Sequence, residues 1–221
     1  MQYQMSMHRN KKFANIVNGK RIALVGPAPY LENVQLKDKL YSYDLIVRLN
    51  RDFPPPQRFF ENIGSKTDLL YVVSAKLNAT DFRFVKQVEH HSIKSIVITF
   101  PHPGRCHTVK QHLKHCCLFR DINPDDYTVY NEHLNAKPAT GNMAILDLLS
   151  YDIKELFICG ITFYRDGLYH DGYADAKQKA KVKRSQETRH KPENQLEFML
   201  KVFREDARVT VEENMKTIIG M

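Results

Sequence analysis

PATGNMAILDLLSYDIKELFICG, residues 138–160, carries two signals that together decide the fold. Ile145, Leu148 and Leu149 recur at helical spacing, whereas ELFICG (155–160) is a short apolar run without strict alternation. Such a run reads as a strand covered on both faces. IALV (22–25), LIVRL (45–49), LLYVV (69–73) and SIVITF (95–100) are runs of the same kind, and 81–90, 108–118 and 141–151 have helical character. Strands alternating with helices predict an α/β architecture: a single Rossmann-like domain with a mostly parallel sheet and helices on both faces. Its ligand site is expected beyond the carboxyl ends of the strands. Within the opening stretch Thr140 reads as a helix N-cap, and Gly141 as the residue that lets a ligand approach the first free backbone N–H groups. That combination is a candidate anion site, although most caps bind nothing.

With 221 residues the chain suffices for one full α/β domain with a small lid, residues 20–221, preceded by a polar and basic arm at 1–19. No apolar run approaches the roughly 18–20 residues that span a bilayer, and the arm has no apolar signal core. Four cysteines, Cys106, Cys116, Cys117 and Cys159, form no disulfide framework. Both observations point to a cytoplasmic protein. The net charge of +8 is concentrated between Lys177 and Lys191, where seven Lys or Arg residues face one acid, Glu187. Composition alone leaves this run open as a solvated helix face, a nucleic-acid patch, a contact with an acidic membrane surface or a flap over a phosphate.

The first strand runs into GPAPYL, not G-x-G-x-x-G, and the chain has no G-x-x-x-x-G-K-[ST]. The usual dinucleotide and triphosphate signatures are therefore absent. There is also no Asp-x-Asp of the kind that holds a divalent cation in many nucleotide-sugar transferases.

Several separated motifs resemble one family. ALVGPAPYL, with YDLIVRLNR and IGSKTDLLY (23–71), is similar to the long motif of the animal-type sialyltransferases, glycosyltransferase family 29. PATGNMAILDLLSYDIKELFICGITF (138–163) resembles their short motif, YHDGY (169–173) their third, and His190 the histidine of their last. The C-terminal third is as similar to the bacterial sialyltransferases of family 42. The resemblance implies a GT-A-like variant fold and an inverting, metal-independent transfer of sialic acid from CMP-sialic acid to a glycan or glycolipid hydroxyl. No cofactor other than this donor substrate is expected. A related keto-sugar carried on CMP, such as Kdo, and a non-catalytic CMP-binding module are the alternatives.

The resemblance also assigns roles. Gly26, Pro27, Ala28, Asn50, Thr140, Gly141, Asn142 and Gly160 fall in the donor-binding motifs. His190 is the expected general base, placed by Pro192 at the positive start of an amphipathic helix, where a cationic imidazole is disfavoured. For the leaving phosphate, family 42 points to the hydroxyls of Tyr164 and Tyr169, and family 29 to His170. The basic run, about 174–189, then reads as a lid. There are three departures. Gly26-Pro27 stands where the animal enzymes have Gly-Asn. Tyr151 occupies the short motif's cysteine position, and Gln195 the position of an acid five residues after the last histidine.

Two rival readings come from other segments. His102, Cys106, His107, His112, His115, Cys116 and Cys117 crowd a short stretch and raise zinc, although no C-x₂-C pair is present. A basic nucleic-acid module is the other, without an RNP, KH or zinc-finger signature to support it, so no nucleic-acid partner is expected.

Overall fold

The computed structural model describes residues 9–50, 53–74, 82–100, 107–171 and 176–221. All five expected apolar runs are strands: β1 (Arg21–Val25), β2 (Leu45–Leu49), β3 (Leu69–Val73), β4 (Ser95–Phe100) and β6 (Glu155–Cys159). Two more complete the sheet, β5 (Leu118–Asp121) and β7 (Val209–Val211), in the order β5-β4-β3-β2-β1-β6-β7, and every pairing is parallel. The additional strands are the two edges. Edge strands are covered on fewer sides and need no continuous apolar run, so they escape a search for one.

The helices are α1 (Lys11–Val17), α2 (Lys37–Tyr41), α3 (Phe60–Ile63), α4 (Phe82–His90), α5 (His107–Leu113), α6 (Pro124–Leu134), α7 (Thr140–Leu149), α8 (Ala176–Ser185), α9 (Pro192–Glu205) and α10 (Glu213–Ile219). A π-helical turn, Gln186–His190, joins α8 to α9. None of the described helices is long and apolar enough to cross a membrane. The helix expected over 108–118 stops at Leu113, because the chain must turn before β5. The reading of 1–19 as a polar arm also needs correction. Residues 1–8 lie outside the described part, but α1 buries Phe13 and Val17 in the main core. Its anchor is Tyr151, whose hydroxyl accepts from Asn10 N at 3.2 Å and whose ring meets Phe13 edge-on at 5.1 Å. The residue at the family's cysteine position thus docks an N-terminal helix.

α7 is the central helix, buried from Gly141 through Leu148. Such a helix has no room for unpaired charge, and its Asp147 accepts from Tyr71 Oη at 2.6 Å and from Arg120 Nη2. The Arg120 guanidinium lies 4.0 Å over the Phe13 ring. Removing one partner of a buried pair like this typically costs about 3–5 kcal/mol, so α7 is held in both position and rotation. Cys116, Cys117 and Cys159 are free thiols, and Cys106 lies outside the described residues.

The chain winds outward from β1 to β5, then returns through α6 and α7 to place β6 on the other side of β1. This reversal is the topological switch point, where open α/β sheets form their crevice. Gly26 and Gly160 meet there. Gly26 N donates to Cys159 O at 2.8 Å, and Ala28 N to Gly160 O at 3.2 Å. A Cβ on Gly26 would lie 2.1 Å from Gly160 O, and one on Gly160, at φ +73°, 2.5 Å from Gly26 O. Both must be glycine for the two loops to touch. Gly160→Ala is expected to cost about 3 kcal/mol or more of unfolding free energy, combining left-handed strain with a backbone clash. Urea denaturation would measure it, and a loss below about 1 kcal/mol would show that the contact yields easily.

Candidate active site

A cavity of about 360 Å³ opens beyond the carboxyl ends of β1, β2, β3, β4 and β6, roofed by α8 through Val182 and closed on one side by the start of α9. Pro27, Ala28, Asn50, Thr140, Gly141, Asn142 and Gly160 line it, together with Tyr164, Tyr169 and His190. Segments more than a hundred residues apart in sequence therefore meet at one site. Gly26 supports the floor from behind as part of the switch-point contact. His170 is the exception: it is buried with its ring against Phe59 at 4.5 Å and its Nδ1 donating to Asp171 O at 2.9 Å, outside the cavity lining.

The start of α7 differs from the sequence reading. The N-cap is Ala139, and Thr140 is the first helical residue. Its Oγ1 does not cap the helix; it accepts from Asn50 Nδ2 at 3.0 Å. Gly141 has its missing Cβ directed at Ile161 (3.0 Å) and Leu49 (3.4 Å). It therefore lets α7 settle onto the strand ends, in place of opening a path for a ligand. The first-turn N–H groups still lack intrahelical acceptors, as in any α-helix, and Thr140, Gly141 and Asn142, which carry them, line the cavity.

Asn50, at φ +51°, uses both ends of its amide: Nδ2 donates to Thr140, and Oδ1 accepts from Val73 N at 3.0 Å. It ties β2, β3 and α7 together at the cavity wall. Left-handed backbone recurs at Phe163 (φ +54°) and Tyr164 (φ +69°). Consecutive non-glycine residues in that region cost about 1–3 kcal/mol each and persist where surrounding structure imposes them. Here the strain turns Tyr164 toward Tyr169, hydroxyl to hydroxyl at 3.5 Å with the rings edge to face. Both hydroxyls belong to one short loop after β6.

Gln195, marked in the sequence only as a departure from an expected acid, is a structural hub. It is 2% exposed, and its Oε1 accepts from Ala139 N at 2.9 Å and from Asn142 Nδ2 at 2.6 Å. Its Nε2 donates to Lys137 O at 3.3 Å and to His190 O. One amide thus joins α9, the entry to α7 and the loop carrying His190. Because both acceptors facing Nε2 are carbonyls, only an amide or a protonated acid fits.

His190 Nδ1 lies 2.8 Å from Lys137 O. A carbonyl only accepts, so the proton of the neutral ring sits on Nδ1 and Nε2 is left as the basic nitrogen. Burial depresses its pKa below the ordinary value of 6.5, the backbone hydrogen bond opposes this, and the charges of Lys137 and Arg189 add to the depression. Among the described residues the cavity lining includes no Asp or Glu. Other lining residues went unread in the sequence, among them Thr99, Phe100, Tyr127 and Lys137. Thr99 and Phe100 end SIVITF, where the carboxyl-end rule alone would have found them. As for the zinc alternative, His102 and Cys106 lie outside the described residues, and among the described residues no three His, Cys, Asp or Glu side chains converge.

No protein-family profile and no curated protein sequence matches the chain. Solved structures do. A mammalian sialyltransferase in complex with Gal-beta-1-3GalNAc-ortho-nitrophenol aligns with a TM-score of 0.59 at 15% identity, over 90% of this chain and 71% of that one. A variant of the sialyltransferase CST-II in complex with CMP gives 0.57 at 16% identity, over 91% and 86%. CstII from Campylobacter jejuni with the substrate analogue CMP-3FNeuAc gives 0.51 at 16%, over 87% and 80%. The fold is that of the sialyltransferases.

Placed on this sialyltransferase fold, the long-motif resemblance spans β1 to β3, and the short-motif resemblance covers α7 and β6, the elements that build the switch point. The third-motif resemblance reaches only to Asp171 within the described residues. In a protein of this fold, the amide at position 195 is testable by itself. Gln195→Glu is expected to cost about 2 kcal/mol near neutral pH, since an ionised carboxyl would face two carbonyl oxygens. Burial should raise the introduced carboxyl's pKa, so the deficit should shrink as the pH falls through the carboxyl range and the group becomes a donor. Urea unfolding at acid and neutral pH would reveal this; a pH-independent deficit would contradict it.

Proposed function

We propose that the protein is an inverting, metal-independent glycosyltransferase that moves sialic acid from CMP-sialic acid to the hydroxyl of a glycan or glycolipid acceptor. The observation that carries this reading is His190. Its Nδ1 is held by Lys137 O, it is kept neutral by burial, and it lines the same cavity as the first turn of α7 and the Tyr164–Tyr169 pair. Support also comes from the fold, since CMP and CMP-3FNeuAc are bound by proteins that share it.

The donor carries a carboxylate and a phosphodiester, both anionic. A lining whose described residues include no carboxylate, beside a helix N-terminus, suits them. The free N–H groups at Thr140 and Gly141 would hold the sugar carboxylate, with Asn50 fixing Thr140 and Gln195 fixing Asn142. The acceptor O–H would give its proton to His190 Nε2 as its oxygen attacks the anomeric carbon. The bond from that carbon to the phosphate oxygen breaks, and the electron pair leaves with CMP. Attack from the face opposite the phosphate inverts the anomeric centre. Tyr164 and Tyr169 would donate to the phosphate as its charge grows. His170, packed on Phe59, takes no part in this arrangement. The basic segment of α8 and the following turn, with Val182 already in the cavity wall, would close over the nucleotide as a lid; positions 174 and 175 of it lie outside the described residues.

His190→Ala is expected to lower kcat by about 10²- to 10⁴-fold with little change in CMP affinity, and Tyr164→Phe or Tyr169→Phe to slow turnover to a smaller degree. The depressed pKa of His190 fixes the sign of the acid limb. Activity should persist below pH 6.5 and fall only as the pH drops through the lowered value. Steady-state rates with CMP-sialic acid and with CMP-Kdo across pH would check base and sugar together; full turnover in a folded His190→Ala protein would rule the base out.

Excess chelator should leave transfer intact, because the neutralising groups proposed here are N–H groups and tyrosine hydroxyls. Loss of activity restored by manganese or magnesium would refute that part of the mechanism.

A further inference from the structure

The donor reading above uses the end of the cavity at β1, β2 and β6 together with the start of α7. The cavity's other end, at the carboxyl end of β4, lies three strand spacings from β1, about 14 Å away. Lys137 lines that end, with its Nζ 4.0 Å over the Phe100 ring. Lys137 N donates to Arg189 O at 2.9 Å, and burial first, then the charge of Arg189, depress the lysine's pKa; Arg189 itself is exposed, beside the cavity lining and not part of it. Among the described residues no carboxylate lines the cavity. Two further donors belong to the same wall. Tyr127, whose ring meets Phe100 at 5.1 Å, and Thr99, 2% exposed, both have buried hydroxyls without a hydrogen-bond partner among the described residues. A half-buried ammonium, a neighbouring guanidinium and two orphaned hydroxyls are costly together unless an acceptor-rich group meets them.

We propose that this end of the cavity is a subsite for an anionic group, carboxylate or phosphate, borne by the acceptor and held by Lys137 and Arg189, with Tyr127 and Thr99 behind them. That the acceptor carries the anion rests on the donor reading above; the subsite itself rests on the side chains. The consequence is a substrate class: acidic glycans in preference to neutral ones.

The test uses the full chain with saturating CMP and three probes of equal ring size: methyl β-galactoside, methyl β-galactoside 6-phosphate and methyl galacturonate. Their affinities are read by ligand-observed NMR titration. At least one anionic probe is expected to bind about tenfold or more tighter than the neutral one. Lys137→Met, which keeps the stem over Phe100, should bring the two within about twofold, and Lys137→Arg should retain the preference. If Lys137→Met fails to fold, Arg189→Gln, which is exposed, should weaken the preference instead. Equal affinities in the wild type, or a preference that survives loss of the Lys137 charge, would overturn the subsite whatever CMP does. Failure of CMP to bind, with a Lys137-dependent preference intact when CMP is omitted, would instead remove the donor reading and leave the subsite standing.

Discussion

The backbone contact between Gly26 and Gly160 is the constraint on which the rest of the site depends. Parallel strands β1 and β6 are neighbours but lie far apart in the chain, and their exit loops diverge only after the two glycines have passed within a Cβ of each other. If either loop stood further off, the Gly160 N–H would lose the Tyr30 hydroxyl, 2.9 Å away, and Ala28 N its carbonyl. Of the segments this contact brings together, Pro27, Ala28, Gly160 and Ile161 line the cavity at the switch point.

The walls are held by amides that use both of their ends. Asn50 joins the ends of β2 and β3 to α7, Gln195 joins α9 and the loop carrying His190 to the start of α7, and the two networks meet there. Each buried amide satisfies donors and acceptors that would otherwise be orphaned. This accounts for a neutral Gln where the family resemblance leads one to expect an acid. The carbonyls of Lys137 and His190 converge on position 195, and an ionised carboxylate offers them nothing. It also sets the state of His190, whose carbonyl and ring nitrogen are both fixed while Nε2 remains the basic atom.

Charge is distributed to the same end. The deep core places the Arg120–Asp147 ion pair on the far part of α7, and among the described residues the cavity lining holds only basic and neutral groups. A pocket built in this way favours ligands that bring negative charge with them. Glu193, the nearest acid in the α9 entry, is turned outward onto Arg165 at 2.8 Å.

The sequence by itself determined the parallel α/β architecture, because buried strands must be continuous apolar runs and amphipathic helices must repeat at 3.6 residues. It also pointed to segments that line the cavity, since Pro27 and Ala28 of GPAPYL, the Asn after LIVRL and the Thr-Gly that opens α7 all follow strands or start a helix at the switch point. Local signals failed where a partner distant in the chain decided the outcome. Thr140 has the composition of a cap but bonds Asn50, ninety residues away. His170 sits in a promising motif but is drawn onto Phe59, and residues 11–17 read as polar until Tyr151 and Arg120 cover Phe13. The edge strands, the amide at Gln195 and the cationic end of the cavity around Lys137 were decided by the tertiary structure alone. Hydrogen-bond satisfaction and charge neutralisation are properties of neighbours in space, and a linear pattern does not record who those neighbours are.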